Sequence, residues 1–346
     1  CISSAASDVY KRQAYTMPAH LREMTLGFLV RFVSLASEPV ARSEVTRRAF
    51  ALLEQLCAAP AWRAVPVRPA LLQRSLMHGS VGDANLVPIA NALATLEVIT
   101  REREDAWLLA HVGQLHKLLE KTLTSDKPAL LDAAMPVLER VFRLLPAAPP
   151  EGEASGEAGD EAAAFCTFAE GRIAEGLRTS TNLYDVCTLL RAWSAERPAV
   201  LDRHLVPLVR TLTRLSKEHL GAAPSQAGGS GEAGAGNAGA SEKPRLLLMV
   251  LGLLRRRVSH MGDQRRWFLS AVVQLIEKSP SLEVCRFLLE TMRSWLLETR
   301  EPFPTMKEKA GILVKMLGFE QRGNEALMRD FLELILAVYE LSLIHI

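Results

Sequence analysis

Asp202-Arg203-His204 is the triplet in this chain that most invites a chemical reading. In kinase catalytic loops of the form D-R-H-x-x-N, the aspartate takes the substrate hydroxyl proton and the asparagine binds Mg²⁺. Here the sixth position is Pro207, which cannot ligate a metal, and no glycine-rich phosphate loop or D-F-G follows. The triplet also sits inside the helical pattern AVLDRHLVPLVRTLTRL, so it reads as a decoy. His111 and His116 are five residues apart, about 140° around a helix, whereas helical metal pairs sit at i, i+4. They read as ordinary polar positions. GEAGAGNAGA (231–240) superficially resembles a dinucleotide loop, but it follows no strand and opens no amphipathic helix, so low complexity is the better reading.

Two groups remain. Arg255, Arg256, Arg257, Arg265 and Arg266 cluster around an expected helix–helix turn, LLRRRVSHMGDQRR. Such a patch could dock an acidic partner or phosphates. The favoured alternative is that arginines ending a helix complement its dipole and stay solvated. The patch is therefore the one candidate partner-contact site. Five tryptophans, Trp62, Trp107, Trp193, Trp267 and Trp295, fall about one per expected helix and read as filler between helices. No catalytic triad, carboxylate pair, metal cluster or cofactor loop is spelled by any spacing, so the reading is non-enzymatic, with no cofactor, metal or small molecule.

The bulk properties agree with a packed, non-catalytic chain. Of 346 residues, 49% are hydrophobic and 23% charged, and the formal charge is +2. That near-balance argues against a bulk nucleic-acid-binding domain. The longest apolar run, Leu246–Leu254, is about half of what a bilayer requires, so no membrane contact is expected. Cys57, Cys166, Cys187 and Cys285 are far apart with no C-x-x-C spacing, which suits reduced, buried thiols. Ser3–Gln13 (SSAASDVYKRQ) and Leu341–Ile346 (LSLIHI) back-translate to the two ends of a transposon sequencing adapter. Residues 1–13 and 341–346 are accordingly read as adapter-derived scars on a piece of a longer reading frame.

The elements that must position any site are helices. Leu282, Cys285, Leu289, Met292 and Leu296 recur at steps of three and four. So do Met306, Ala310, Leu313 and Leu317, and then Leu327, Phe331, Leu334 and Val338. Ser279 with Pro280 is expected to open one helix, Thr305 with Glu308 to form a capping box, and Gly323 to separate the last two helices. Stripe starts 21–24 residues apart give two-helix units of roughly 40–47 residues, the HEAT/armadillo range. Further helices are expected near 19–36, 43–58, 67–78, 85–100, 104–124, 128–145, 165–178, 181–195, 198–219, 245–260 and 264–278. An acidic stretch (146–164) and a Gly/Ala/Ser-rich stretch (221–244) lack any apolar period and read as disordered loops. They divide the chain into helical repeats at 14–145, 165–220 and 245–340. The fold class is all-α, a HEAT/armadillo-like solenoid of antiparallel helix pairs.

Several stretches resemble a known family in collinear order: LGFLVRFV (26–33), TLTRLSKEHL (211–220), IEKSP (276–280), PTMKEKAGILVKML (304–317) and FLELILAVY (331–339). The resemblance is to the transformation/transcription domain-associated protein (TRRAP) family, and it is densest from about residue 262 onward. It implies a segment of a long HEAT-type solenoid leading toward a FAT region, in pseudokinase relatives of the phosphoinositide-3-kinase-related kinases. Their kinase-like domain lacks catalytic residues, and no catalytic residue of the family maps onto this chain. The resemblance further implies nuclear scaffolding of SAGA-like histone acetyltransferase co-activator complexes. Partners would be the other subunits and transcription activators, with no direct nucleic-acid contact. Two alternatives stand beside it: the regulatory solenoid of an active kinase of the same superfamily, and a karyopherin-like cargo carrier.

Overall fold

The computed structural model describes residues 17–77, 85–147, 157–221, 238–298, 305–316 and 324–344, and all regular structure among them is helical. The helices are α1 (Ala19–Ser34), α2 (Glu44–Ala58), α3 (Pro60–Arg63), α4 (Gln73–Met77), α5 (Leu86–Arg101), α6 (Asp105–Ala110), α7 (Val112–Leu123) and α8 (Pro128–Leu144). They continue with α9 (Glu157–Thr179), α10 (Leu183–Ser194), α11 (Leu205–Gly221), α12 (Ala238–Arg255), α13 (Gln264–Lys278), α14 (Leu282–Arg293), α15 (Met306–Met316) and α16 (Glu325–Ile344). The chain forms two compact units, Cys1–Phe168 and Ala169–Ile346, and α9 supplies residues to both.

Each unit follows the same packing rule. In the second, α10 packs on α12, α12 on α14 and α14 on α16, while α11 packs on α13 and α13 on α15. Rungs α11–α12 and α13–α14 join the two rows. In the first unit α1, α5 and α8 form one row, α4 and α7 the other, with α4–α5 and α7–α8 as rungs. In the second unit a helix therefore meets its hairpin partner and the helix two positions away, and in the first, where short helices intervene, one three or four positions away; both are patterns of stacked antiparallel helices. Leucine stripes make this possible. Leu93 and Leu96 of α5, Leu131 and Leu138 of α8, Leu208 and Leu212 of α11, and Val272 and Leu275 of α13 are completely buried.

Local chemistry sets many of the helix ends. At Thr305 the expected capping box is present: the Thr305 N–H donates to Glu308 Oε2 at 2.9 Å and the Glu308 N–H to Thr305 Oγ1 at 3.3 Å. Asn324 Oδ1 accepts from the Leu327 N–H at 2.9 Å and opens α16. Pro60 and Pro128 begin α3 and α8, where a missing N–H costs nothing. At the end of α5, Arg140 from α8 donates to the carbonyls of Thr100, Arg101 and Arg103. These are backbone acceptors that a helix end leaves without partners. Asn91 binds the α1–α2 loop to α5, donating to the Glu38 carbonyl at 2.9 Å and accepting from the Val40 N–H at 3.3 Å.

The structure corrects several expectations. Ser281, not Ser279, caps α14, accepting from the Val284 N–H. The Ser279 hydroxyl is engaged instead with His219 Nε2 at 2.8 Å. The expected helix 104–124 breaks at His111, whose ring stacks on Trp107 and whose Nδ1 donates to the Trp107 carbonyl. The expected helix 198–219 is a 3₁₀ turn through His204 and becomes α-helical only from Leu205. Pro207 lacks the N–H that would bind the Arg203 carbonyl, so the α ladder cannot extend back through that point. Similarly, 67–78 begins as a 3₁₀ turn at Pro69–Leu72, and the helix from Leu282 passes into a π turn at Ser294–Glu298.

Both low-complexity stretches are partly helical. α9 starts at Glu157 and α12 at Ala238, inside segments expected to be loops through Ala164 and Pro244. Alanine and glutamate are strong helix formers, so a helix nucleated by the apolar residues beyond them propagates backward. The remaining parts, 148–156 and 222–237, lie outside the described residues, as does Gly323. α16 runs through Ile344, across four of the residues read as adapter-derived. In α15 the buried residue is Ile312, while Ala310 of the expected stripe is exposed. Trp267 departs from the filler reading: it is 64% exposed, whereas Trp193 and Trp295 are buried.

Ser180 and Asn182 take left-handed backbone angles between α9 and α10, and Gly176 lets the two helices close. A Cβ on Gly176 would collide with Val186 Cγ2 and approach the Thr181 carbonyl. The charge pair Arg172–Asp185, 2.5 Å apart, closes the same hairpin with Asp185 fully buried.

Three predictions follow from this packing. Leu212→Ala should lower unfolding free energy by about 2–5 kcal/mol, measured by denaturant titration. A loss below about 1 kcal/mol would contradict its place in the core. Gly176→Ala should cost about 1–3 kcal/mol through overpacking, read as an earlier unfolding midpoint, with no loss contradicting the close approach. Burial holds the pKa values of His116, His204 and His219 below the usual histidine value. Below about pH 6.5 the unfolded chain therefore binds more protons than the folded one. Their stability contribution is complete above that pH and falls on acidification, so the midpoint should drop between pH 7 and pH 5. A midpoint that rises over that interval would contradict the assignment.

Candidate interaction surface

The five arginines expected as a patch share the end of α12, the following turn and the start of α13. They do not point to one spot. The Arg255 guanidinium lies over the Phe287 ring, 4.7 Å from its centre, a cation–π contact between α12 and α14. Arg256 Nη1 reaches the Ser194 carbonyl at 3.5 Å. Arg257 clasps Asp202 with two bonds, Nε to Oδ1 at 2.7 Å and Nη2 to Oδ2 at 2.5 Å. Arg265 Nε meets Glu308 Oε1 at 3.0 Å, across to the first turn of α15. Arg255, Arg256 and Arg266 are exposed, and of the five only Arg266 has no hydrogen bond, ion pair or ring contact among the described residues; Trp267 beside it is exposed as well. Four of the five arginines thus touch neighbouring elements, and Arg266 with its adjoining indole is left uncommitted.

The Asp202–His204 triplet is placed by the same geometry. Asp202 is the carboxylate that Arg257 holds, so it is committed to a structural pair. His204 is buried, with Nε2 3.5 Å from Glu170 Oε1 but not aligned to hydrogen-bond it. Burial lowers the His204 pKa, with Glu170 acting in the opposite direction. Arg203 lies over the Trp193 ring and 3.7 Å from Glu170.

The remaining chemistry-bearing side chains pack. His116 stacks on Phe165 with ring centres 4.5 Å apart. Cys57, Cys166, Cys187 and Cys285 are buried thiols outside any disulfide. Burial raises the Cys57 and Cys285 pKa values and pushes Cys187 up to about 12, so these thiols stay protonated and poorly nucleophilic. Among the described residues no group of three or more His, Cys, Asp or Glu side chains is placed to hold a metal ion, and no helix is long and apolar enough to cross a membrane. The feature sequence reasoning missed is a groove of about 700 Å³ between the end of α9 and the first half of α11. Its one legible signal is the i, i+4 pair Arg210 and Arg214.

Comparison with known proteins matches this architecture. A family model described as the Tra1 HEAT repeat ring region covers residues 3–345, a span that includes both ends read as adapter-derived. The SAGA complex/NuA4 acetyltransferase complex subunit Tra1 of Schizosaccharomyces pombe is 29% identical over 318 residues, 92% of this chain. The corresponding subunit of Saccharomyces cerevisiae is 30% identical over 330 residues, 93% of the chain. Transformation/transcription domain-associated protein of Homo sapiens is 27% identical over 318 residues, 85% of the chain. In each case the chain spans 8% of the relative's length. With stacked helix pairs in each unit and this near-complete match, the chain belongs to the Tra1 HEAT repeat ring family, within the wider Tra1/TRRAP group.

Proposed function

We propose that this chain is a non-catalytic scaffold segment of a Tra1/TRRAP-like subunit in a nuclear histone acetyltransferase co-activator complex. The observation that carries this reading is the collinear match to relatives named as SAGA and NuA4 subunits. The helical stack supports it in a specific way. Its side-chain chemistry is spent on packing and on inter-helix staples such as Arg257–Asp202 and Arg265–Glu308. What remains for partners is extended surface, which stacked pairs supply. Recruitment of transcription activators is part of the same proposal, as is location in the nucleus.

Within the arginine cluster we assign partner contact to Arg266 and its neighbour Trp267. Arg255, Arg256, Arg257 and Arg265 contribute by holding the turn that presents them. An exposed tryptophan beside an arginine has the composition of an interface hot spot.

Affinity purification of the whole polypeptide that carries this chain should recover histone acetyltransferase activity. Recovery of a small GTPase with no acetyltransferase would instead support a cargo carrier, and intrinsic kinase activity would support a regulatory solenoid. Arg266→Ala with Trp267→Ala should reduce subunit recovery severalfold while the helical circular-dichroism signal is unchanged. Undiminished recovery would remove the assignment of that pair.

A further inference from the structure

The groove between α9 and α11 is charged in a way that the scaffold reading does not use. Arg178 stands in the last turn of α9, Arg203 in the 3₁₀ turn, and Arg210 and Arg214 one turn apart on α11. Three carboxylates partly answer these four guanidiniums. Arg178 pairs with Glu175 at 2.7 Å, Arg203 lies 3.7 Å from Glu170, and Arg214 lies 3.7 Å from Glu218. Arg210 is exposed and has no ion-pair partner among the described residues. The pairs at Arg203 and Arg214 are loose: Glu170 Oε2, His204 Nε2 and Arg214 Nε are buried yet make no hydrogen bond. Buried polar atoms left in that condition are costly. Of these, the Arg214 guanidinium is the donor that a ligand acceptor in the groove could satisfy. Ala174, Leu177 and Pro207 add apolar surface to the groove lining.

We propose that this groove binds a phosphoserine- or phosphothreonine-bearing peptide in extended form. The phosphate would sit against Arg210 and Arg214, with a neighbouring apolar side chain against Leu177 and Pro207. The charge balance selects the ligand. A single carboxylate would only exchange with Glu218 or Glu175, gaining little. A phosphomonoester brings nearly two charges and three acceptor oxygens, which match paired guanidinium forks. A free phosphate would leave most of the 700 Å³ and the apolar part of the lining unused, whereas a peptide fills both. The inference stands apart from assembly into an acetyltransferase complex, because binding is measured on the chain by itself.

Fluorescence anisotropy tests it with the full chain and a labelled octapeptide carrying phosphoserine at its fourth position and leucine at its sixth. The phosphopeptide should bind at least about tenfold more tightly than the same peptide with serine or glutamate there, since charge-assisted forks to phosphate exceed those to a carboxylate. Arg210→Ala with Arg214→Ala should abolish that preference, while Arg266→Ala leaves it intact. Where the alanine pair lowers the helical signal, Arg210→Lys with Arg214→Lys is measured instead. It should weaken binding severalfold, because lysine keeps the charge and loses the two-pronged contact. Equal binding of the glutamate peptide would overturn the proposal. So would displacement by an equal concentration of inorganic phosphate, or undiminished affinity in a folded arginine variant.

Discussion

A helix in this chain carries more apolar surface than one neighbour can cover, and that constraint organises everything else. α11 shows it most plainly. Leu208, Val209, Leu212 and Leu215 are all buried, and α11 packs against both α12 and α13. The same holds for α5, which meets α1, α4 and α8. Burial completed by more than one neighbouring helix produces rows and rungs, and stability then accrues locally, pair by pair. Exposed apolar residues remain on α1 (Met24, Phe28) and on α16 (Leu332, Leu336).

Polar chemistry is subordinate to that arrangement. Arg140 satisfies the end of α5, Arg257 binds Asp202, and Asn91 fastens the α1–α2 loop. Each is a polar side chain bridging elements that apolar packing has already brought together. Even the triplet that resembles a kinase loop is consumed this way, with its aspartate clasped by Arg257 from the turn after α12. The groove beside α9 differs, since Arg210 has no ion pair among the described residues and some of its buried polar atoms remain without hydrogen bonds.

The parts of this fold that depend on neighbouring residues were readable from the chain. The spacing for 264–278 coincides with α13, and Thr305 with Glu308 forms the box its spacing implies. Where a partner comes from far away, local reading failed. Ser279 looked like a cap, but His219, 60 residues earlier, takes its hydroxyl. Arg257, read as part of a surface cluster, is held by Asp202, 55 residues earlier. Trp267 looked like core, yet its neighbour Phe268 supplies the buried ring and packs edge-on to Trp295. Composition misled at Glu157 and Ala238 because low complexity and helix propensity are separate properties. The groove was invisible because its walls are separated by about one hairpin of sequence.

Native-state hydrogen exchange on the full chain tests the central claim most directly, since a stack held pair by pair opens pair by pair. The account predicts slowest exchange in α4, α5, α7, α8, α11, α12, α13 and α14, which are covered by both a rung and a row partner. Exchange should be faster in α1 and α16, and adjacent hairpins should open with distinct free energies. One uniform opening energy across every helix, or protection concentrated in α3, α6 and the 3₁₀ turns, would contradict it.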